Sequence, residues 1–245
     1  MQSKVRVSVC MAAYNGSEYI AEQIHSILPQ LAQDDELVIV DDCSNDGTVD
    51  VLRALNDARI RLTSNENNIG YVGTFERAIR LSQGEYIFLC DQDDVWLEGR
   101  VEQMISALES NLVVASNFSY FGGLPRKIES LRLRAKDSQR NWSNIVALWI
   151  GIRPYYGCAM AFRQQAKDAI LPFPSFMKET HDQWIALVGN LAKSIVHLEA
   201  DTLVRRLHDN NTTPKKFRRV SQILSARIAF IREFLLARQR ISTLS

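Results

Sequence analysis

The chain has 245 residues, and its 29 Lys and Arg side chains almost balance 28 Asp and Glu, for a net charge of +1. This length fits one large domain with a sizeable buried core, and no apolar stretch approaches the roughly 20 residues that cross a bilayer. The N-terminal residues lack the basic and apolar segments of a signal peptide. We therefore expect a cytoplasmic protein, and we expect no nucleic-acid partner.

Charge is distributed unevenly along the chain. Residues 214–245 hold eight Lys or Arg against Glu233 alone, a net charge of +7, which leaves −6 for the first 213 residues. A second basic stretch runs from Arg126 to Arg140. A slightly acidic body with basic later segments predicts contact with an anionic surface.

The four cysteines are spaced far apart and form no C-x-x-C pair. They lie mostly in or beside apolar runs, which predicts reduced thiols in the core and neither zinc ligands nor disulfides. They are Cys10, Cys43, Cys90 and Cys158.

The first part of the chain alternates between strand-like and helix-like patterns. Such alternation predicts a mostly parallel central sheet with right-handed crossovers and helices on both faces, an α/β fold. The predicted strands are 5–10, 37–41, 60–64 and 86–91, and the predicted helices are 18–31, 48–55 and 72–81.

The pattern loosens beyond residue 109. Much of the segment from Tyr120 to Tyr156 is predicted to be a mobile active-site loop, because connections of this length are usually functional or disordered. The predicted strands of this half are 113–117, 158–162, 194–198 and 203–207, and the predicted helices are 142–148 and 182–191.

These elements predict one domain with two halves and an extension. Residues 1–213 would form the domain, with the two halves 1–110 and 111–213. Residues 214–245 would form a basic, broadly amphipathic C-terminal helix.

Polar residues follow three of the predicted parallel strands, in segments 13–16, 41–44 and 91–94. Carboxyl ends of parallel strands meet at one edge of the sheet, where open α/β sheets bind their ligands. The sequence therefore predicts a ligand cleft at this edge.

The last of these segments contains Asp91, Asp93 and Asp94 directly after a buried strand. Three crowded carboxylates would repel one another and lose hydration unless a cation were bound there. Mg²⁺ or Mn²⁺ is the expected ion, since both take carboxylate and phosphate oxygens. The alternative is a solvated acidic turn in which Asp94 caps a helix that begins near Trp96.

Two common phosphate-binding motifs are missing. The turn after the first strand reads Met11-Ala12-Ala13-Tyr14-Asn15-Gly16 and contains no G-x-G-x-x-G, and no G-x-x-x-x-G-K-[ST] occurs in the chain. The sequence therefore indicates neither a dehydrogenase nor a P-loop enzyme, and it favours phosphate binding through a metal and basic side chains.

Four motifs in order resemble those of family 2 of the inverting glycosyltransferases, which have the GT-A fold. The resemblance covers most of residues 5 to 211, although Ala12 stands where many members have Pro. The motifs are residues 7–15, 38–48, 68–70 and 84–86, the last leading to the D-x-D at 91–93.

The resemblance implies that residues 1–110 form the half that binds a nucleotide-diphosphate sugar and residues 111–213 the acceptor and catalytic-base half. Tyr14 and Asp41 would contact the base and ribose, Asp93 would coordinate the Mn²⁺ or Mg²⁺ ion that bridges the diphosphate, and Asp91 would support it. Packing for Tyr14 and helix capping for Asp41 remain the alternatives. The other candidate donor-binding residues are Ala13, Asn15, Asn68, Gly70 and Gln92.

Inverting sugar transfer needs a carboxylate that takes the proton of the acceptor hydroxyl. Asp182 is the candidate, because it stands in the motif His181-Asp182-Gln183-Trp184, similar to the catalytic-base motif of one branch of the family. The alternative is that Asp182 only caps the helix that begins there.

A downstream motif, Arg205-Arg206-Leu207-His208, is similar to one that approaches the diphosphate or the metal in the family. It implies Arg205 and Arg206 as diphosphate-binding residues and His208 as a metal ligand. Candidate acceptor-binding residues are Trp142, Tyr155, Tyr156, His181 and Trp184.

Family members of this layout commonly extend polyprenyl-diphosphate-linked oligosaccharides at the inner face of the bacterial membrane. The basic segments suit such an acceptor, and the C-terminal helix could lie on an anionic leaflet. A helix packed on the body or on the same helix of a second subunit, forming a homodimer, is the alternative.

The resulting hypothesis is a metal-dependent glycosyltransferase that moves one hexose or deoxyhexose onto a lipid-linked acceptor of an O-antigen or capsule pathway. UDP-glucose, UDP-galactose and dTDP-rhamnose are all candidate donors. Two alternatives remain: an enzyme similar to a sugar-nucleotide pyrophosphorylase, and a carbohydrate-binding relative without catalysis.

Overall fold

The computed structural model describes residues 4–122, 131–153, 155–177, 179–207 and 220–243. Strands alternate with helices through the first half, as the strand-like and helix-like patterns of the sequence predict. The described strands are β1 Val7–Ala13, β2 Glu36–Asp41, β3 Ile60–Ser64, β4 Tyr86–Cys90, β5 Val95–Trp96, β6 Val113–Tyr120, β7 Met160–Arg163 and β8 Ile195–Arg205.

Amphipathic spacing accounts for most of the helices, which bury one stripe against the sheet. In chain order, the described helices are α1 Ile20–Ile27, α2 Thr48–Ala54, α3 Gly70–Leu81, α4 Arg100–Leu108, α5 Asn141–Ile150, α6 Lys167–Ile170, α7 His181–Leu191 and α8 Val220–Ile241.

The described strands form a single eight-stranded sheet in the order β3-β2-β1-β4-β7-β6-β8-β5. Strands β1 to β4 pair in parallel, as does β6 with β8, whereas β7 runs antiparallel to β4 and β6 and β5 runs antiparallel to β8. The predicted mostly parallel sheet flanked by helices is confirmed.

The core lies on both faces of this sheet. Cys10 of β1 packs on one face with helices α3, α5, α6, α7 and α8, whereas its neighbours Val9 and Met11 pack on the other with α1, α2 and α4. Alternate residues of a strand point to opposite faces, so burial on both sides explains the nearly continuous apolar strands.

The prediction of two separate strands between residues 194 and 207 is wrong. The strands expected at 194–198 and 203–207 are one strand, β8, because register shifts against β6 accommodate the polar residues between them. The bulge is fixed by Asn117, whose Nδ2 donates to the Glu199 carbonyl oxygen at 3.1 Å. A polar run inside a strand therefore marks a bulge here and not a turn.

The alternative interpretation of the acidic segment is also wrong. Helix α4 begins at Arg100, and the short strand β5 lies between it and Asp94. Asp94 is buried and accepts the backbone N–H of Arg206 at 3.2 Å, so it caps no helix.

The segment expected to be a mobile loop contains regular structure over about half of its described part. Helix α5 packs Ile145 and Leu148 into the core, and Asn117 pairs with the backbone of Leu133 through two hydrogen bonds. The rest of the prediction falls on residues 123–130, outside the described residues.

The C-terminal helix packs on the domain. Phe230 and Ala237 of α8 are buried in the core, and Arg240 Nη1 donates to the carbonyl oxygen of Pro172 at 2.6 Å. Residues 214–219 lie outside the described part of the chain, and the division into 1–110, 111–213 and 214–245 stays a prediction. Among the described residues, no helix is both long and apolar enough to span a bilayer.

Candidate functional site

A cavity of about 1110 Å³ opens at the carboxyl edge of the parallel strands. This volume suits a ligand larger than most drug-sized molecules. Of the residues predicted from the sequence, it is lined by Ala13, Tyr14, Asn15, Asn68, Gly70, Asp91, Gln92, Asp93, Tyr155, Tyr156, His181, Asp182 and Arg205. The predicted cleft is therefore present, and it unites residues from both halves of the domain.

Gln92 joins the loops after β1 and β4. Its Oε1 accepts the N–H of Tyr14 and its Nε2 donates to the Tyr14 carbonyl oxygen, both at 2.9 Å. A Cβ on Gly16 would lie only 2.3 Å from Gln92 Oε1, so this close approach requires glycine. Because its amide is engaged in this way, Gln92 positions Tyr14, whose half-exposed ring faces the cavity.

The loop after β2 is held against the same wall. Asn15 adopts a left-handed conformation, φ 47°, and its Oδ1 accepts the N–H of Asn45 at 2.9 Å. Asp41 does not line the cavity: it is buried, and its Oδ2 accepts the Ser44 N–H at 3.2 Å. Its Oδ1 has no partner in the part of the chain that the structure describes, so one buried acceptor remains beside the cavity.

Asp42, to which the sequence alone gave no role, is the main organiser of this wall. Its carboxylate accepts the N–H groups of Ile69 and Gly70, both at 2.9 Å, and the Asn65 side-chain amide at 2.7 Å. The Asp42 carbonyl oxygen also accepts from Asn68 Nδ2. Asp42 therefore fixes the start of α3. In the sequence, its position beside Asp41 directly after β2 was the only indication of a role for Asp42.

We expect Asp42→Ala to lower the free energy of unfolding by about 2–4 kcal/mol, because buried donors lose a charged acceptor. Chemical denaturation would measure the change, with Asp50→Ala in α2 as the control, since Asp50 is exposed. A cost within about 0.5 kcal/mol, the usual range of a surface substitution, would contradict this role.

The acidic segment brings several metal-ligating atoms together. Ligand atoms of Asp91, Asp94 and Cys158 lie within 4.8 Å of one another, and Asp94 Oδ2 has no hydrogen-bond partner among the described residues. Clustered oxygen donors with an unsatisfied buried oxygen suit a divalent cation. Cys158, predicted to be only a core thiol, is part of this cluster, whereas Asp93 faces the cavity beside it.

Electrostatics in the cluster favour a bound cation. Burial, reinforced by neighbouring carboxylates, raises the pKa of Asp91 to about 6 and that of Asp94 to about 7. Burial opposes the charge of Arg205, yet Cys158, Asp94 and Asp91 together raise its pKa. One Arg against several carboxylates leaves excess negative charge, which a cation would offset.

Arg205 and Arg206 point in different directions. The Arg205 guanidinium lies over the Tyr156 ring, 4.7 Å from its centroid, and lines the cavity. Arg206 instead pairs with Glu22 at 2.6 Å and donates to the Asp93 carbonyl oxygen, outside the cavity wall. Alternation along β8 explains the difference. The predicted metal ligand His208 lies outside the described residues.

Asp182 lies in the first turn of α7 and lines the cavity. Burial raises its pKa to about 6, and its Oδ1 accepts the N–H of the next residue, Gln183, at 2.7 Å. The N-cap of α7 is Thr180, so what is left of the capping alternative is the favourable interaction of a first-turn carboxylate with the helix dipole. The cavity position and the raised pKa suit a general base.

His181 lies beside Asp182 in an aromatic cage. Its ring stacks on Phe75 at 4.6 Å and lies near Tyr71 and Phe173. Burial lowers the pKa of His181 to about 4, and neither ring nitrogen has a hydrogen-bond partner among the described residues. A neutral imidazole therefore faces the cavity with unused hydrogen-bonding capacity.

The aromatic residues predicted to bind an acceptor separate into two groups. Tyr155 and Tyr156 line the cavity, and Tyr155 Oη forms a hydrogen bond with His197 Nε2 at 2.8 Å. Trp184 is completely buried in the core and donates to the Ile170 carbonyl oxygen. The prediction that it binds an acceptor is therefore wrong. Trp142 is exposed on α5, outside the cavity, with its ring 6.1 Å from that of Phe234.

The cavity also contains a cationic residue that sequence reasoning missed. Arg153 lines it and forms an ion pair with Asp137 at 3.6 Å. It lies in an irregular segment with no motif, so no local signal identified it. Arg153 and Arg205 are both cationic residues of the cavity lining.

Comparison with known proteins supports a common origin for this arrangement. TuaG of Bacillus subtilis (strain 168), a putative teichuronic acid biosynthesis glycosyltransferase, is 36% identical over 121 residues, 49% of this chain and 47% of that protein. The Escherichia coli protein WfgD, a UDP-Glc:alpha-D-GlcNAc-diphosphoundecaprenol beta-1,3-glucosyltransferase, is 26% identical over 218 residues, 88% of this chain and 83% of that protein. The chain thus spans about half of TuaG and most of WfgD.

Solved structures share the architecture. Staphylococcus aureus TarS in complex with UDP-GlcNAc matches with a TM-score of 0.73 at 18% identity, covering 94% of this chain and 67% of that chain. The mannosyltransferase PcManGT from Pyrobaculum calidifontis, in complex with GDP-Man and Mn²⁺, matches with a TM-score of 0.65 at 17% identity, covering 99% and 74%. Their likeness shows the fold, which is GT-A.

The sequence model of glycosyl transferase family 2 matches residues 8–171, about two thirds of the chain. This match includes the loops after β1 and β2, the acidic segment and the strands that position them. The chain therefore belongs to glycosyl transferase family 2.

Proposed function

We propose that the protein is a metal-dependent inverting glycosyltransferase that moves one hexose from a UDP-sugar to a polyprenyl-diphosphate-linked acceptor. The observation on which this rests is that one cavity is lined both by Asp182, a carboxylate with a raised pKa, and by Asp91 and Asp93 of the acidic segment. These groups meet the two needs of the reaction, a base for the acceptor and a binding site for a metal-neutralised diphosphate.

Asp182 would act as the general base. As the acceptor oxygen forms its bond to the anomeric carbon, the Asp182 carboxylate takes the hydroxyl proton, and the bond from that carbon to the diphosphate oxygen breaks with its electron pair. Attack from the side opposite the diphosphate inverts the configuration. A pKa raised by burial makes Asp182 a stronger base than a solvated aspartate, while it remains ionised at neutral pH.

The donor side would be formed by the loops after β1, β2 and β4. Tyr14 would stack on or border the base. Asp41 does not line the cavity, so it would hold the loop after β2 in place through the Ser44 N–H and would not contact the base directly. Asp93, supported by Asp91, would hold Mn²⁺ or Mg²⁺, which when bound neutralises the charge that develops on the departing diphosphate. Arg205 would provide a further positive charge there.

The acceptor and donor classes are inferred from relatives. WfgD, which this chain matches over most of its length, is named for transfer from UDP-Glc to a GlcNAc-diphosphoundecaprenol. The cationic side chain of Arg153, which also lines the cavity, suits a diphosphate-linked lipid. We therefore place the enzyme on the cytoplasmic face of the inner membrane, in surface-polysaccharide synthesis such as that of O-antigen or capsule.

A transfer assay tests this proposal. The protein would be incubated with Mn²⁺, a synthetic GlcNAc-diphospho-lipid and UDP-glucose, UDP-galactose or dTDP-rhamnose in turn. We expect one UDP-hexose to give a single added sugar whose anomeric configuration, measured by NMR, is opposite to that of the donor. Calorimetry with UDP and dTDP, with and without Mn²⁺, would identify the nucleotide independently of the acceptor.

Other outcomes of the same assay identify the alternatives. Formation of UTP from UDP-glucose and pyrophosphate would indicate a pyrophosphorylase. Metal-dependent UDP binding with no transfer to any acceptor would favour a carbohydrate-binding relative, and absence of any nucleotide binding would contradict the proposed donor site. Retained configuration in the product would overturn the inverting mechanism and the role of Asp182.

A further inference from the structure

Helix α8 exposes an apolar stripe on the side that faces away from the domain. Its members follow a spacing of 4, 3 and 4 residues, and each is between 51% and 61% exposed: Leu224, Ile228, Ile231 and Leu235. Other residues of the same helix, Phe230 and Ala237, are buried in the core. The helix is therefore apolar on two sides, of which only one is covered by the domain.

Helix α5 extends this apolar stripe. Its exposed apolar residues are Trp142, Val146, Trp149 and Ile150. The ring centroid of Trp142 lies 6.1 Å from that of Phe234, and Arg227 Nη2 donates to the Ile150 carbonyl oxygen at 2.9 Å. These contacts place α5 and α8 side by side and antiparallel, so their exposed residues form one area, here named the α5/α8 surface.

A glycine permits the closer of these contacts. Gly151 ends α5 in the left-handed conformation, φ 77°, and a Cβ there would lie 2.9 Å from Arg227 Nη2. Both the backbone conformation and the approach of Arg227 exclude a larger residue. Two residues therefore contribute to the packing of α8 on α5: Gly151, directly after α5, and Arg227 of α8.

The charges around the α5/α8 surface are of one sign. Arg227, Arg232 and Arg238 belong to α8, with Arg232 and Arg238 exposed, whereas Glu233 is buried. Helix α5 contains no charged residue. An apolar surface bordered by arginines and containing exposed tryptophans has the composition of a membrane-interface segment.

Self-association is the competing use of such a stripe, because its spacing is that of a coiled coil. In that pairing, Arg227 and Arg232 occupy the positions that flank the seam. A parallel pair would place Arg227 opposite Arg232 of the second copy. With Glu233 buried, nothing on the flanks of α8 offsets this repulsion, so the charges favour an anionic partner.

We propose that the α5/α8 surface docks on a bilayer of anionic phospholipids. The surface reaches the rim of the cavity, because Ile152, two residues beyond α5, is exposed and also lines the cavity. On a docked protein, the cavity would open beside the headgroups. A lipid-linked acceptor would then enter the cavity past Ile152. This entry route rests on the proposed function, whereas docking itself does not.

Vesicle sedimentation tests the docking. The whole protein would be centrifuged with vesicles of phosphatidylcholine alone or of equal parts phosphatidylcholine and phosphatidylglycerol. We expect binding to the anionic vesicles that weakens with added salt. The double variant Ile228→Glu/Ile231→Glu should weaken it by at least about tenfold, and Arg232→Gln by about fivefold.

Ser106→Glu is the matched control, because Ser106 is exposed on α4, which packs on the opposite face of the sheet. It should bind vesicles like the wild type. Thermal unfolding and metal-dependent UDP binding of every variant would show that fold and donor site are intact, so failed docking is distinguished from a failed donor site.

Three results would overturn the proposal. They are no binding to anionic vesicles, equal loss of binding in Ser106→Glu, and unchanged binding in the Ile228→Glu/Ile231→Glu variant. A concentration-dependent dimer in sedimentation velocity that this double variant abolishes would assign the α5/α8 surface to a second copy of the chain instead.

Discussion

Asp182→Asn is expected to retain UDP binding and to lose sugar transfer by on the order of a thousandfold, the middle of the range for general bases. The amide cannot take the acceptor proton, but its oxygen can still accept the N–H of Gln183, as Oδ1 does in the structure. The substitution therefore removes the base and keeps the hydrogen bond to Gln183. Single-turnover rates and UDP calorimetry would measure the two effects separately.

The pH profile of the wild type provides a second measure of this assignment. Burial raises the pKa of Asp182 to about 6, and only the ionised carboxylate can act as a base. The turnover number at saturating donor and metal should therefore be constant at neutral pH and fall about tenfold per unit below pH 6. The residual activity of Asp182→Asn should lack this acidic limb.

Asp168→Asn is the matched control for Asp182→Asn, because Asp168 is exposed on α6 and outside the cavity. It should leave the transfer rate unchanged. Turnover of Asp182→Asn within a few-fold of the wild type would eliminate Asp182 as the base, and the interaction of its charge with the dipole of α7 would then be its only role.

Asp93→Ala is expected to abolish the increase in UDP affinity that Mn²⁺ produces. Loss even of a residue that supports a metal ligand weakens metal binding by about tenfold or more, so the decrease should be at least that large. Calorimetric titration of UDP with and without Mn²⁺ would measure it. Affinity without metal should change little, since Tyr14 and the loop after β2 are untouched.

Two further variants define which carboxylates hold the ion. Glu98→Ala removes an exposed carboxylate near the same segment and should have no effect. Asp94→Asn keeps an acceptor for the Arg206 N–H. If Asp94→Asn lost the Mn²⁺ effect and Asp93→Ala kept it, the buried group of Asp91, Asp94 and Cys158 would be the metal site, and the assignment to Asp93 would be wrong.

Much of the candidate site could be predicted because it depends on local patterns. The acidic segment follows a continuous apolar strand, and polar loops follow β1 and β2 in the same way, so the topology of a parallel sheet brings them to one edge. Asp182 was identified by its motif. In each case a few neighbouring residues contain the signal.

Predictions failed where a side chain's partner is distant in sequence. Trp184 belongs to the same motif as Asp182, yet the turn of the helix directs it into the core, where it meets the Ile170 carbonyl oxygen. Asp42 adjoins Asp41, but its partners Ile69 and Gly70 belong to another connection. Residues of the same motif can therefore differ in role, because one stabilises the fold through distant partners while another faces the cavity.

The sequence by itself determined the α/β class, the order of the first strands and helices, and the acidic segment, because periodicity and turn chemistry act between near neighbours. Only the tertiary structure decided that β7 runs antiparallel inside the sheet, that Arg205 and not Arg206 faces the cavity, and that α5 and α8 share one exposed apolar surface. These features depend on which faces of distant elements are covered, and that is set by packing of the whole chain.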